Sequence, residues 1–436
     1  MRAIPTVPTV PRIAAAALAL GLALATWRWH IPLMLWDHLD LVPIYRAWQD
    51  GALAQSDFWR FHGGHLHSAA YAVLLATTVL SGGQPWLDCL VSLALLLAYA
   101  AVVLGIARDS LAAVAPRTWW LVAGFALYPG HLANLQWGWQ VAVFLCLLGV
   151  AVAIRALGVG SLSWPRQAVA LAGAAVAYAS FATAIALIPA ALTLIALRTE
   201  LSWRQRLAHA APWLVAAVAV ALQYRLAGAG GGAAASPGAA VHYLLNFLGA
   251  GIARFATDLA PLAGAAGLIS GGVAMVRTRD RRASLPWCGL FVFGLVAAAL
   301  AAAGRAGDYG ADQAFSSRYV SFSSMFWLGW AGLIALAVPP HATVPRRLGA
   351  IAWGAVAVLA AVNAVHLIKR AAQLATQTQR IAETIRTTHP DVDAALLREI
   401  YFDEADVAAE RLAALRALGF APFNGLPVEP APQEPR

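Results

Sequence analysis

Eleven apolar runs, each near the length that crosses a bilayer, fill most of the first 367 residues. They fall at about 13–35, 66–81, 86–107, 118–133, 137–155, 167–197, 210–226, 259–276, 286–304, 319–338 and 348–367. A spanning helix takes about 20 mostly apolar residues. Runs in this number leave an all-α, polytopic membrane protein of about eleven transmembrane helices as the fold class. They exclude a chain of two or three soluble domains. Composition agrees: 61% of residues are hydrophobic and 12% charged, against roughly 45–50% and about 25% in soluble proteins. Cys89, Cys146 and Cys288 all sit inside apolar runs, which excludes a secreted disulfide scaffold. The net charge of +9 is almost entirely arginine. No basic cluster is interleaved with aromatics, and the arginines lie in short loops between runs. The charge therefore reads as membrane topology, not nucleic-acid binding.

Charge also orients the chain. Arg2 and Arg12 precede the first run, which reads as a retained span despite the signal-peptidase-like Ala23-Leu24-Ala25. The N-terminus is then cytoplasmic and residues 36–65 form an extracytoplasmic loop. Placing the basic loops at Arg198–Arg206, Arg277–Arg282 and Arg346–Arg347 in the cytoplasm gives a regular alternation from residue 198 onward. Before residue 198 two threadings compete. One takes every run as a single crossing and strands Arg108, Arg117, Arg155 and Arg166 outside. The other splits 167–197 near Thr183 into a hairpin and lets 66–107 cross once, which brings those arginines inside; the charge rule prefers it. Both give eleven crossings and an extracytoplasmic C-terminus. Residues 1–367 form the transmembrane domain. Residues 368–436 form a soluble helical tail, disordered from about residue 426. Residues 227–240 read as a flexible, low-complexity loop, and 241–256 as an amphipathic stretch lying along the interface.

A carboxylate inside a membrane costs a few kcal/mol or more, so acids in such a chain are placed sparingly. Of 21 acids, ten follow residue 367, four fall between Asp37 and Asp57, and two, Asp308 and Asp312, share one short loop. Asp37 and Asp40, directly after the first span, would share a helical face. Partial desolvation there can make a carboxylate a useful base, although a solvated, Asp-capped loop end has the same spacing. His62-Gly63-Gly64-His65 allows a tight turn with exposed N–H groups and phosphate-donating imidazoles. No Cys or Glu supports it at metal-ligand spacing, so no metal and no cofactor is expected. The segment Asn134 to Gln140, with Gln136, Trp137 and Trp139 between, places amides and indoles where lipid tolerates them poorly. It reads either as a sugar-binding wall or as an aromatic belt. Ser316-Ser317-Arg318-Tyr319 puts a guanidinium and hydroxyls at a helix N-terminus, a good phosphate site, or else a snorkelling arginine. No Walker A, dinucleotide-binding, HExxH or GxSxG pattern is present.

Taken in order, the Asp-containing loop with its His-rich end, the Asn134-to-Gln140 segment, Ser317-Arg318-Tyr319 and the ending Leu415 to Phe423 carry a likeness. Together they resemble a group of uncharacterised bacterial polytopic proteins related to the GT-C glycosyltransferases. That group often has Asn-Glu-His-Arg where this chain reads Gly63-Gly64-His65-Leu66, so only His65 carries over. The resemblance implies a multi-helix fold in the bacterial inner membrane, a catalytic Asp in the first extracytoplasmic loop and a polyprenyl-phosphate-linked sugar donor. On this reading Asp37, or else Asp40, is the base. Arg318, His65, Ser317 and Tyr319 hold the donor phosphate. Asn134, Trp137, Gln140 and His62 face a sugar or the glycan or lipid acceptor. A lipid or glycan transporter, or an inactive scaffold, would use the same polar groups without making a bond. Inverted repeats would favour a transporter, and none is visible.

Overall fold

The computed structural model describes residues 9–111, 117–228, 233–337 and 343–427. Helix α1 (Thr9–Trp29) leads through a 3-10 turn (Trp36–Asp40) to two short helices, α2 (Leu41–Gln49) and α3 (Gln55–Phe58). A hairpin of β1 (Phe61–His62) and β2 (His65–Leu66) follows. The region expected as an open loop is therefore folded. Next come α4 (Ser68–Ser81), α5 (Trp86–Ser110), α6 (Arg117–Ala126), the single turn α7 (Leu132–Leu135), α8 (Val141–Gly158), α9 (Trp164–Tyr178) and α10 (Leu187–Leu197). The second half runs α11 (Trp203–Leu226), α12 (Pro237–Ala253), α13 (Ala260–Arg277), α14 (Arg281–Tyr309), α15 (Ser317–Ala337) and α16 (Thr343–Thr388). Two short helices, α17 (Ala394–Ile400) and α18 (Ala405–Leu418), complete it.

Among the described residues, seven helices are long and apolar enough to cross a membrane: α5, α8 with the turn before it, α11, α13, α14, α15 and α16. The chain is a multi-pass, all-α membrane protein. The other four apolar runs take different forms. Helix α1 has 21 residues. Helix α4 has 14 residues, or about 21 Å at the α-helical rise, short of a hydrocarbon core of about 30 Å. Helix α6 has 10. Run 167–197 breaks after α9 into a 3-10 turn, Ala182–Ala186, which contains Thr183. That is where the hairpin threading needed its break.

Helices α8 and α15 form the centre and are mostly buried, whereas α11 is mostly exposed along its sides. Without a hydrophobic drive between helices in lipid, close approach through small residues supplies the packing. A Cβ added at Gly249 of α12 would collide with the Ala260 carbonyl of α13, and one at Gly173 of α9 with the Gly149 carbonyl of α8. Helix α12 is not the interfacial helix its sequence predicted. Residues 246–253 are all buried, because α13, α14 and α15 surround it.

Helix α16 runs 46 residues without interruption, about 69 Å, so it must leave the bilayer. The boundary expected at residue 367 falls inside it. Beyond that point Ala371, Ala375, Thr378, Ala382 and Ile385 are buried at intervals of three and four residues, the stripe of a helix with one covered face. The tail covers it and folds back toward α2, where the Phe420 ring meets Tyr45 edge-on at 4.8 Å. The segment beyond residue 427, expected to be disordered, and residues 229–232 of the low-complexity loop lie outside the described residues.

Candidate functional site

The first loop, the loop before α15 and the tail meet at one end of the bundle. The 3-10 turn after α1 sets the first element. In a 3-10 helix residues i and i+3 eclipse, so Asp37 and Asp40 present their carboxylates on one side while His38 turns inward and is fully buried. His62 inserts between the carboxylates. Its Nε2 lies 2.6 Å from Asp37 Oδ1, and its Nδ1 lies 3.5 Å from Asp40 Oδ2. Asp37 Oδ2 takes no hydrogen bond among the described residues.

The hairpin that carries His62 turns through Gly63 (φ +53°) and Gly64 (φ +82°). Consecutive left-handed residues are the requirement of a type I′ turn, a specific form of the tight turn that the Gly-Gly pair allows. Tyr224 Oη donates to Gly64 O at 2.9 Å, and Arg305 Nη2 donates to Gly63 O at 2.6 Å. His65 stacks on Phe181 at 4.2 Å and accepts the Ala182 N–H at Nδ1, 3.3 Å, so its Nε2 carries the proton. Burial, then the neighbouring charges of His67, Arg318 and Arg305, hold His65 well below the usual imidazole range. It is therefore a neutral donor beside two guanidinium groups.

Trp139 is the aromatic centre of the site. Its ring meets those of His62, His67 and Tyr71 at 5.3, 5.2 and 5.5 Å. Next to it, a Cβ at Gly138 would come within 2.8 Å of the Asp88 carboxylate and the His38 ring, so only glycine fits there.

A cavity of about 310 Å³ opens beside this cluster, lined by Trp36, Asp37, Trp137, Arg318, Arg398, Glu399, Phe402 and Asp403. The Trp36 and Trp137 rings meet edge-on at 5.1 Å. Trp36 Nε1 donates to Glu399 O at 3.0 Å, and Tyr401 Oη donates to Asp40 Oδ1 at 2.7 Å. Three non-glycine residues have left-handed backbone among the described residues, Trp36 (φ +52°), Phe402 (φ +41°) and Asp403 (φ +65°). All three line this cavity. Such conformations cost of order 1–3 kcal/mol each and concentrate where surrounding structure holds a site in place.

Asp37, Trp137 and Arg318 thus share one cavity, with His62 and Asp40 directly behind it. Other predicted residues lie deeper. Asn134 is fully buried and its amide nitrogen donates to Ser317 O and Ser321 Oγ at 3.1 and 2.9 Å, which pins the first turn of α15. Tyr319 is buried against Phe247 at 4.9 Å, and the Arg318 guanidinium carbon lies 5.7 Å from its ring centre. Gln140 is buried in the turn before α8. Sequence reasoning missed Arg305 and the whole tail wall, and it gave Trp139 no role beyond its place in the Asn134-to-Gln140 segment. The one usable signal for the wall was the acid-rich stretch around Tyr401 and Phe402, on the same predicted side as Asp37.

The ligand atoms of Asp37, Asp40 and His62 lie within 4.8 Å of one another, a spacing that could hold a metal ion. A cation there would have to displace the 2.6 Å bond between His62 and Asp37.

Two buried histidines are expected to make the site acid-sensitive. Burial lowers His38 to about 4. It does the same to His67, whose Nδ1–H donates to Ser180 O at 2.8 Å. Both rings bind protons less readily folded than unfolded. Their contribution is therefore complete above the unfolded value of about 6.5 and is lost as pH falls toward 4, up to roughly 3 kcal/mol for each ring. The melting temperature in detergent is expected to hold from pH 8 to 7 and fall steeply by pH 5. His67→Asn, which keeps a donor for Ser180 O, should flatten part of that fall. A pH dependence identical in His67→Asn and the parent would show that His67 is not held neutral by the fold.

No protein-family model matches the chain, and no curated protein matches it. Among solved structures the chain is similar to the crystal structure of ArnT from Cupriavidus metallidurans bound to undecaprenyl phosphate. The two are 13% identical, the match covers 92% of this chain and 76% of that one, and the TM-score is 0.46.

Proposed function

We propose that the protein is an inverting, GT-C-type glycosyltransferase of the bacterial inner membrane. It would move a sugar from a polyprenyl phosphate to a hydroxyl of a cell-envelope glycan or lipid on the extracytoplasmic face. The observation that carries this reading is the shared cavity: Asp37 and Arg318, on segments 281 positions apart in sequence (318 minus 37), line the same space. A base and a cation facing one volume are what transfer from a phosphate leaving group needs. The basic loops after α10 and α13 support placing this end outside the cytoplasm.

In this reading Asp37 Oδ2 takes the proton of the acceptor hydroxyl. The acceptor oxygen forms its bond to the anomeric carbon, and the bond from that carbon to the phosphate oxygen breaks. The electron pair leaves with the lipid phosphate. Arg318 and the Nε2–H of His65 meet the growing negative charge, an interaction stronger in the transition state than in the ground state. Trp36 and Trp137 give the sugar its apolar contact. Asn134 and Tyr319 hold the first turn of α15, and with it Arg318, in place. Metal is not required.

The test is incubation of the purified protein with polyprenyl-phosphate sugars and a crude envelope-lipid acceptor. Lipid phosphate should be released only when acceptor is present. No release with any donor, together with donor lipid crossing a liposome bilayer, would replace this reading with a flippase.

A further inference from the structure

We propose that Tyr401, from the C-terminal tail, is a positioning residue for the Asp37 base, acting through Asp40 and His62. This rests on the transferase reading and deepens it.

The side chains stand in a row, joined by a hydrogen bond at each end and an ion-pair distance in the middle. Tyr401 Oη donates to Asp40 Oδ1 at 2.7 Å. Asp40 Oδ2 faces His62 Nδ1 at 3.5 Å, and His62 Nε2 meets Asp37 Oδ1 at 2.6 Å. The four side chains come from three separate segments. Asp37 and Asp40 are rigidly related, because both sit on the same 3-10 turn. His62 is not, because it rides on a hairpin whose strands are two residues each. Its ring is aligned by what it touches: the Trp139 ring, met edge-to-face at 5.3 Å, and the two carboxylates.

Asp40 alone is a poor guide for the ring. The terminal torsion of an aspartate is broad and roughly two-fold, so an unanchored Asp40 would present its oxygens over a wide arc. The phenol removes that freedom by occupying Oδ1, which leaves Oδ2 for His62. His62 then occupies Asp37 Oδ1 and leaves Oδ2 as the oxygen that receives the acceptor proton. Each link fixes the next, and a displacement of about 1 Å in a reacting group can cost on the order of a hundredfold in rate.

The tail segment is built to hold Tyr401 there. Trp36 Nε1 anchors the Glu399 carbonyl at 3.0 Å, Gln377 Nε2 anchors the Glu399 carboxylate at 2.9 Å, and the left-handed pair Phe402 and Asp403 turns the chain just after the tyrosine. Burial, then the Asp40 carboxylate, raises the phenol above its ordinary range, so Tyr401 remains a donor throughout the working pH range.

The test uses the full-length protein in detergent with a donor and acceptor pair that supports turnover. Tyr401→Phe removes one oxygen and keeps the ring. It is expected to lower kcat about tenfold, the scale of one hydrogen bond to a charged group, with KM and melting temperature unchanged. Asp40→Ala should lower kcat as well, and Tyr401→Phe added to Asp40→Ala should lower it no further, since the tyrosine would have nothing left to act through. Equal kcat for Tyr401→Phe and the parent overturns the proposal and leaves the transferase reading standing. A tenfold loss that recurs in the Asp40→Ala background also overturns it, because the tyrosine would then act by another route. A parent protein without turnover on any donor overturns both.

Discussion

Asp37→Asn is expected to purify at the parent's yield and melting temperature and to lose transfer, by roughly 10²–10⁴-fold, the usual contribution of a positioned general base. The amide has the carboxylate's shape, so the packing of the 3-10 turn against His62 survives. The amide oxygen can accept the His62 Nε2–H, now at 2.6 Å from Oδ1. That choice turns the NH2 group toward the position of the free oxygen. A donor then stands where the acceptor's proton must be received, and an amide does not take a proton at neutral pH. The variant separates a base from an Asp-capped loop end, because a cap lost to Asn costs little. Turnover near the parent's level would remove Asp37 from the chemistry and make Asp40→Asn the next experiment. A large drop in melting temperature would show that Asp37 is there to hold the turn.

How far the sequence foretold this site depends on the range of the interaction. Local geometry was readable. Three-residue spacing puts Asp37 and Asp40 on one side, and Gly63-Gly64 requires a turn that projects His62 and His65. Nothing local marks Tyr401 as a partner of Asp40, 361 residues away. The pairing follows from α16 continuing out of the bilayer. Hydropathy drops after residue 367, which is why a boundary was drawn there, but no glycine or proline interrupts residues 355–388, so the helix has no reason to stop. The Asn134-to-Gln140 segment shows a different limit. Its amides and indoles stand out in the sequence as costly in lipid, yet composition cannot say which way each one faces. Trp137 looks into the cavity, Trp139 supports the histidines, and Asn134 pins α15. Helix α12 failed for a related reason. Periodicity distinguishes a buried face from an exposed one, and the second half of α12, residues 246–253, is enclosed on every side and has no exposed face to report.

Arg318 carries the second large effect. It is the second residue of α15 and lines the cavity with Asp37. It forms no ion pair among the described residues, and its Nε is buried without a partner. A guanidinium that the protein leaves uncompensated is free to meet an anion from outside, and at a helix N-terminus the free N–H groups add to the attraction. A phosphate leaving an anomeric carbon gains negative charge as the bond breaks, so a fixed cation lowers the barrier more than it tightens ground-state binding. Arg318→Ala is expected to cost roughly 2–4 kcal/mol of barrier lowering, on the order of a hundredfold to a thousandfold in turnover, the scale of removing one preorganised donor. Arg318→Lys should keep part of the activity, since it retains the charge and loses the planar two-donor fork. A snorkelling arginine would behave differently. Lysine would then replace it fully, and alanine would lower the yield of folded protein while leaving turnover per folded molecule intact. Turnover measured on size-excluded protein for both variants separates these cases. Equal activity of Arg318→Ala and the parent would take Arg318 out of the phosphate site, leave Arg398 as the other guanidinium lining the cavity, and weaken the transferase reading against a transporter or an inactive scaffold.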